Sequence, residues 1–304
     1  MIKAQPFLKW AGGKRQLINE IENNLPKDIS KTSEIELYIE PFVGGGALFF
    51  HLLSNYSVKK SIINDINPDL ILAYKVIKLY PEELIKTLGK IEKEFLKLGE
   101  EERKDFFYNK LRLPFNKLIV DYTIADEKSW TKKIALLIAL NKTCFNGLFR
   151  QNNNGEFNVP FGSHKNPKLL NEENIRNCSI LLKNTEILCG GYEDIHISKK
   201  TKAFIYFDPP YRPLNKTSGF TKYSKEDFND EDQKKLASYF KNLSKQGHNL
   251  LLSNSDPKNY ESNDDFFDDL YKDFNIQRVN AKRFINANAK KRGNVTELLI
   301  KSYK

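Results

Sequence analysis

AFIYFDPPYRP, residues 203–213, decides the fold. Ala203 to Phe207 is an apolar run of strand type that halts at Asp208, Pro209, Pro210 and Tyr211. Two successive prolines can neither extend a hydrogen-bonded ladder nor enter a helix interior, so the strand ends in a stiff, extended turn. An acid and an aromatic ring are thereby fixed at the carboxyl end of a buried strand. Open α/β sheets hold their ligands at such ends.

In that position the tetrapeptide suits chemistry on the exocyclic amino group of a base. The Asp208 carboxylate and the Pro209 carbonyl are acceptors, able to take the two hydrogens of an –NH2 group. They also stabilise positive charge that grows on the nitrogen as it attacks an electrophilic carbon. Tyr211 offers a π-face for the base, and such stacking is worth about 1–3 kcal/mol. The same four residues are equally readable as a strand-terminating turn with a solvent-facing tyrosine.

Upstream, ELYIE (36–40) reads as a strand that runs into PFVGGG (41–46) and an apolar helix start, ALFFHLL. Strand, glycine turn and helix let backbone approach a nucleoside closely. SIIND (61–65) is a second strand with an acid at its end, and Asp65 lies 19 positions after Gly46. A ribose-binding carboxylate is expected at roughly that separation, about 20 residues. Asp65 also suits a helix N-cap, because Asn67 and Pro68 follow it. Before both strands, FLKWAGGK (7–14) leads into the helix-like RQLINEIENNL, as an anion-binding loop feeds a helix N-terminus. It lacks P-loop spacing, and Trp10 is alternatively a core residue.

From Pro68 to Leu140 the period changes. Leu70–Leu79, Glu82–Leu98, Asp105–Ile119 and Trp130–Leu140 carry apolar residues at steps of three and four and predict amphipathic helices. The charged run Gly99–Lys104 predicts a solvated connection. NKTCFNGLFRQNNNGEFNVPFG (141–162) then carries Asn-Gly at 146–147 and 154–155, both hairpin signals. Asn and Arg side chains read purine edges, and Phe145 and Leu148 can wedge or pack against bases. An ordinary exposed hairpin is the competing reading.

The α/β rhythm returns with TEILC (185–189), NLLLS (249–253), and strands at Asn275–Val279 and Val295–Lys301, with a helix at Glu231–Leu243. Between the last two strands, AKRFINANAKKRGN holds Lys282, Arg283, Lys290, Lys291 and Arg292. Beside a nucleic-acid cleft such a loop clamps phosphates, which positions without specifying. Thr217–Phe228 has the composition of a closing lid.

The 304 residues suffice for one large domain or two smaller ones. A formal charge of +10 favours a polyanionic partner. Met1–Gly13 lacks the long apolar stretch of a secretory leader and no run of about 18 apolar residues occurs, so neither a leader nor a membrane span is expected. Cys144, Cys178 and Cys189 are odd in number and lack CxxC spacing, which argues against a disulfide framework and a zinc site. A soluble, reducing, cytoplasmic setting without metal or membrane is expected.

Taken in order, FLKWAGGK, EPFVGGGALFF, INDIN, CFNGLFR with GEFNVPFG, YFDPPY and the final TELLI strand resemble the Dam-like (D12) DNA adenine-N6 methyltransferases over essentially the whole chain. The resemblance implies a class I S-adenosylmethionine-dependent methyltransferase fold. Its sheet is seven-stranded and mostly parallel, with the last strand antiparallel to its neighbours. Residues 1–68 and 169–304 would form the catalytic domain. Residues 69–168 would form a mainly helical target-recognition domain carrying a β-hairpin. It implies S-adenosylmethionine as cofactor, held by Trp10, Lys14, Glu40, Phe42, Gly44 to Gly46, Asp65, Tyr192 and Asp208. Asp208, Pro209, Pro210 and Tyr211 would receive a flipped adenine from duplex DNA. Lys9, Phe145, Asn146, Leu148 and Arg150, with Lys282, Lys291 and Arg292 of the basic loop, would contact the DNA, with GATC the first-guess target.

One departure concerns Gly191, which precedes Tyr192 where relatives often have an acid. The acceptor for the cofactor's adenine amine would then come from Glu193 or Asp194. Asn152, Asn153 and Asn154 are an unusually polar run that leaves the target sequence open. Cytosine N4, RNA adenine or a protein amide as acceptor, and a non-catalytic DNA binder, remain alternatives. A nucleotide-dependent oxidoreductase is disfavoured because Gly44-Gly45-Gly46 lacks GxGxxG spacing. A cognate restriction endonuclease acting separately is a compatible partner.

Overall fold

The computed structural model describes residues 2–10, 12–14, 16–198, 201–212, 228–282 and 294–304, with the side chains of 281, 282 and 294 left out. Seven strands form one sheet: β1 Glu34–Glu40, β2 Ser57–Asp65, β3 Thr185–Cys189, β4 Ala203–Phe207, β5 Asn249–Ser255, β6 Asn275–Lys282 and β7 Asn294–Lys301. Their order is β3-β2-β1-β4-β5-β7-β6. All pairings are parallel except those of β7, which runs antiparallel to both β5 and β6. This is the class I methyltransferase sheet that the resemblance implies. β1 leads outward through β2 on one side, while the chain returns to its other side as β4. The strand order therefore reverses between β1 and β4, and that switch point opens a crevice beyond their carboxyl ends.

The middle strands are buried on both faces, as the apolar run at 203–207 predicts. Phe204 and Tyr206 enter the core that holds Phe49, Phe50 and Tyr74. Ile205 and Phe207, pointing oppositely, pack with Leu236, Phe240 and Tyr271. The helices of the first face include α1 Ile18–Asn23, α2 Lys27–Thr32 and α3 Ala47–Asn55. β1 and β2 begin earlier than their apolar stretches, because Glu34, Lys59 and Lys60 are solvated yet still belong to the ladder.

Between β2 and β3 the chain is helical: α4 Pro68–Leu79, α5 Pro81–Leu96, α6 Glu100–Phe106, α7 Leu113–Lys117, α8 Glu127–Thr143 and α9 Glu172–Leu181. The expected solvated connection at Gly99–Lys104 is instead the start of α6. Glu102 accepts the Gly99 N–H at 2.8 Å, and three glutamates in the first turn favour the positive end of the helix dipole. A π-helical segment, Phe107–Arg112, joins α6 to α7 within the expected third helix.

Only one Asn-Gly pair turns a hairpin. At 154–155, Asn152 N–H donates to the Glu156 carbonyl at 2.9 Å, and Gln151 bridges Phe157. At 146–147 the chain makes a tight turn with Asn146 and Gly147 both left-handed, at φ 57° and 67°, and the Leu148 N–H donates to the Phe145 carbonyl at 3.3 Å. There Asn141 Nδ2 donates to the Gly147 carbonyl at 2.9 Å, and the residues flanking the turn pair elsewhere, Cys144 with Phe161 and Gln151 with Phe157. α10 Asp230–Lys245 and α11 Phe266–Leu270 cover the second face. Among the described residues no helix is long and apolar enough to cross a membrane.

Candidate active site

Asp208 follows the last residue of β4 and stands in the crevice with its side chain about one-fifth exposed, 20 %. Lys14 Nζ lies 3.0 Å from Asp208 Oδ1, and Ser253 Oγ donates to the same oxygen at 3.2 Å. The Ser253 hydroxyl also meets Tyr206 Oη at 2.8 Å. Burial pushes the Asp208 carboxyl above its ordinary range, and the Lys14 ammonium and Ser253 hydroxyl act against that rise.

Tyr211 is not the solvent-facing ring of the bland reading. Its hydroxyl donates to Glu297 Oε2 at 2.5 Å and accepts from Lys14. The Lys14 ammonium also sits 4.0 Å from the centre of the ring, on its hydroxyl side. Burial, with Asp208 and Glu297 nearby, holds the phenol far above its usual pKa. The Pro210 carbonyl accepts from Gln233 at 3.1 Å. Among the described residues none donates to the Pro209 carbonyl, the acceptor expected from sequence.

Glu40 ends β1 and is buried, paired with the hydroxyl of Tyr38. Burial pushes its carboxyl up to about 8, with a smaller upward push from Asp208. After it, the glycine turn is held from β2: Asp65 Oδ2 accepts the Gly44 N–H and Oδ1 the Asn67 N–H, both at 3.0 Å. Burial raises the Asp65 carboxyl, and these backbone donors oppose the rise. The N-cap of α4 is Asn67, whose Oδ1 accepts the Leu70 N–H at 3.0 Å, so Asp65 is not the cap. Gly46 has φ 69°, and a Cβ there would lie 2.5 Å from Tyr74 Oη. Glycine is thus required by both conformation and space.

Phe42 packs on Tyr192 with ring centres 5.4 Å apart, joining the ends of β1 and β3. The two acids expected to replace the missing acceptor are both engaged. Asp194 Oδ2 takes the Gly191 N–H at 2.9 Å, and Glu193 pairs with the Tyr192 hydroxyl. Trp10 is stacked on Phe149 at 5.1 Å and 23°, and its side chain also lies against Gly44 and Gly45. Lys9 is exposed beside it.

Four of the expected DNA-contacting residues, Phe145, Asn146, Leu148 and Arg150, fall on one connected segment. Phe145 is 53 % exposed, Leu148 is half-buried, and exposed Arg150 uses Nε on Asn158 at 2.8 Å. Lys291 and Arg292, most of the lid, and the Lys282 side chain lie outside the described residues. Among the described residues no group of three or more His, Cys, Asp or Glu side chains is placed to hold a metal ion.

Glu297, Ser253, Asn141 and Phe149 were not legible as site residues. Glu297 carries one signal, being the acid of the otherwise apolar TELLI strand. The crevice therefore gathers three carboxyl groups (Glu40, Asp208 and Glu297), one lysine, and aromatic faces at its rim. Such a set holds cationic and planar ligands and steers an amine.

Residues 10–285 match the D12 class N6 adenine-specific DNA methyltransferase family. The chain is 52 % identical over 303 residues to the type II methyltransferase M.MjaIII of Methanocaldococcus jannaschii, covering 99 % of this chain and 100 % of that one. It is 38 % identical over 304 residues to the type II methyltransferase M1.LlaDCHI of Lactococcus lactis subsp. cremoris, covering 99 % and 96 %. The DNA adenine methylase of Serratia marcescens is 35 % identical over 300 residues, with 98 % of each chain covered.

Proposed function

The chain belongs to the D12 class of N6 adenine-specific DNA methyltransferases, and from that premise we propose that it methylates N6 of an adenine flipped from duplex DNA, with S-adenosylmethionine as donor and GATC as target. The observation that carries the reading is Asp208 at the switch point, paired with Lys14 and beside the Tyr211 ring. Residues 69–168 are proposed as the target-recognition domain and 1–68 with 169–304 as the catalytic domain.

The donor set fits the cofactor. Asp65 keeps lone pairs beyond the two backbone N–H groups it accepts and would hold ribose hydroxyls. Phe42 and Tyr192 would flank the adenine, Glu40 and Lys14 the methionine end, and Trp10 the glycine turn. When bound, S-adenosylmethionine supplies an electrophilic methyl group. The protein's part is positioning and electrostatics. Asp208 and the Pro209 carbonyl would accept the two amine hydrogens, directing the nitrogen's electron density toward the methyl carbon. The purine would stack on the Tyr211 ring, whose hydroxyl Lys14 and Glu297 hold. Asp208 would be ionised to act, which Lys14 and Ser253 favour against burial.

Phe145, Asn146, Leu148 and Arg150 would meet the duplex, with Lys9 beside them. Two relatives named as type II methyltransferases favour a place beside a restriction endonuclease. Sequencing DNA from a methylation-free host that expresses this chain, with modified bases read directly, tests base, position and context together. N6-methyladenine within GATC is expected. N4-methylcytosine would overturn the acceptor, and another adenine context would overturn GATC alone.

A further inference from the structure

Asn141 lies in the last turn of α8 and is 1 % exposed. Its side-chain amide is committed to backbone outside its own helix. Oδ1 accepts the Lys9 N–H at 2.8 Å, while Nδ2 donates to the carbonyls of Lys9 and Gly147, each at 2.9 Å. One amide thus replaces a strand partner for Lys9 and draws the turn Phe145–Gly147 onto it. The fit is close, since a Cβ at Gly147 would fall 2.3 Å from Lys9 Cδ.

The neighbouring residue completes a bridge. Trp10 lies between Phe149, stacked at 5.1 Å, and the glycine turn, where a Cβ on Gly44 or Gly45 would come within 3.1 or 3.0 Å of it. Residues 9 and 10 therefore touch the cofactor turn on one side and the recognition segment on the other. Asn141 fastens the second contact. We propose that Asn141 is a positioning residue that couples occupancy of the cofactor turn to the shape of the target-recognition loop. This rests on the functional reading above. Ordering the glycine turn against Trp10 holds Lys9, Phe145 and Leu148 in their DNA-binding arrangement, so cofactor and target bind cooperatively, each strengthening the other equally.

A purely structural amide would lower thermal stability and leave that cooperativity intact. Affinity for a short labelled duplex, bearing the motif that modified-base sequencing returns, is measured by fluorescence anisotropy with and without saturating S-adenosylhomocysteine. The wild type is expected to gain on the order of 5- to 150-fold from the ligand. Asn141→Asp keeps the acceptor for Lys9 N–H but faces both carbonyls with an acceptor. Its gain should shrink to within about twofold, while S-adenosylhomocysteine affinity without DNA stays near wild type. Phe149→Leu, which breaks the Trp10 stack and spares the amide, should shrink the gain as well and decides the question if Asn141→Asp does not fold. A full gain retained by the folded variant, or no gain in the wild type, overturns the coupling and leaves the activity standing. A wild-type chain that neither binds S-adenosylhomocysteine nor methylates DNA overturns the functional reading, and the coupling with it.

Discussion

The Tyr211 hydroxyl donates to the Glu297 carboxylate at 2.5 Å, which ties the turn after β4 to the antiparallel strand β7. The ring is thus oriented before any base arrives, and its neutral phenol persists at all ordinary pH because burial and two nearby acids oppose ionisation. Tyr211→Ala should weaken capture of the extruded base by about 1–3 kcal/mol, the worth of one stacked base. Tyr211→Phe should keep most of that capture, because the ring remains. Fluorescence of 2-aminopurine at the target position reads the stacking directly, and equal losses in both variants would move the role from the ring to the hydroxyl.

Lys14 should set the acid limb of the proposed reaction. Its ammonium, 3.0 Å from Asp208, favours the ionised carboxylate that burial disfavours. Replacing it with Met removes the opposing charge, so the Asp208 pKa rises and the carboxylate protonates at a higher pH. The acid limb of kcat should therefore move upward by roughly 1–3 pH units, the usual effect of a close opposite charge. Asp208→Ala should lose on the order of 100- to 1,000-fold or more in methyl transfer, with duplex affinity changed little. An unmoved limb in Lys14→Met would assign it to another group.

Most of the sheet was readable because its middle strands are apolar on both faces and end at prolines, glycines or acids. β3 and β4 match their expected bounds at Thr185–Cys189 and Ala203–Phe207. α6 was missed for the opposite reason: a short charged helix is held by its Gly99–Glu102 cap and dipole, and neither leaves an apolar period. In the site, residues flanking the turns were legible from chain-local chemistry. Glu297, Ser253 and Asn141 reach it from 86, 45 and 132 positions away, measured to Tyr211, Asp208 and Lys9. Nothing in their local sequence encodes those partners. The contact of Lys14 with the Tyr211 hydroxyl was equally hidden, because it needs the first motif folded onto the turn after β4.

Glu40 makes stability fall with rising pH. Its carboxyl is raised by burial from 4.5 to about 8, so between those values the folded state holds a proton that the unfolded chain has released. The stabilisation is complete below 4.5 and is lost as pH climbs through 8, by at most about 1.4 kcal/mol per pH unit. Glu40→Gln, which cannot ionise, should match the wild type near pH 4.5 and be the more stable protein near pH 8.5. Denaturant unfolding across that range checks it, and parallel pH curves for the two proteins would place the titration elsewhere.

Phe145 separates base extrusion from fold. It is 53 % exposed in the turn before Gly147, and its N–H is satisfied by the Pro160 carbonyl at 2.9 Å, a bond independent of the ring. Phe145→Ala should therefore leave thermal melting within the small range of surface substitutions, about 0.5 kcal/mol. If the ring wedges into the duplex to help free the adenine, its loss reinstates part of the few kcal/mol that unstacking and unpairing cost. On a perfectly paired site kcat/KM should then fall about tenfold or more, while a site with the target adenine already mispaired should recover most of it, because the pairing no longer has to be broken. Equal losses on paired and mispaired sites would mean that the ring contributes contact area to the complex and no work to extrusion.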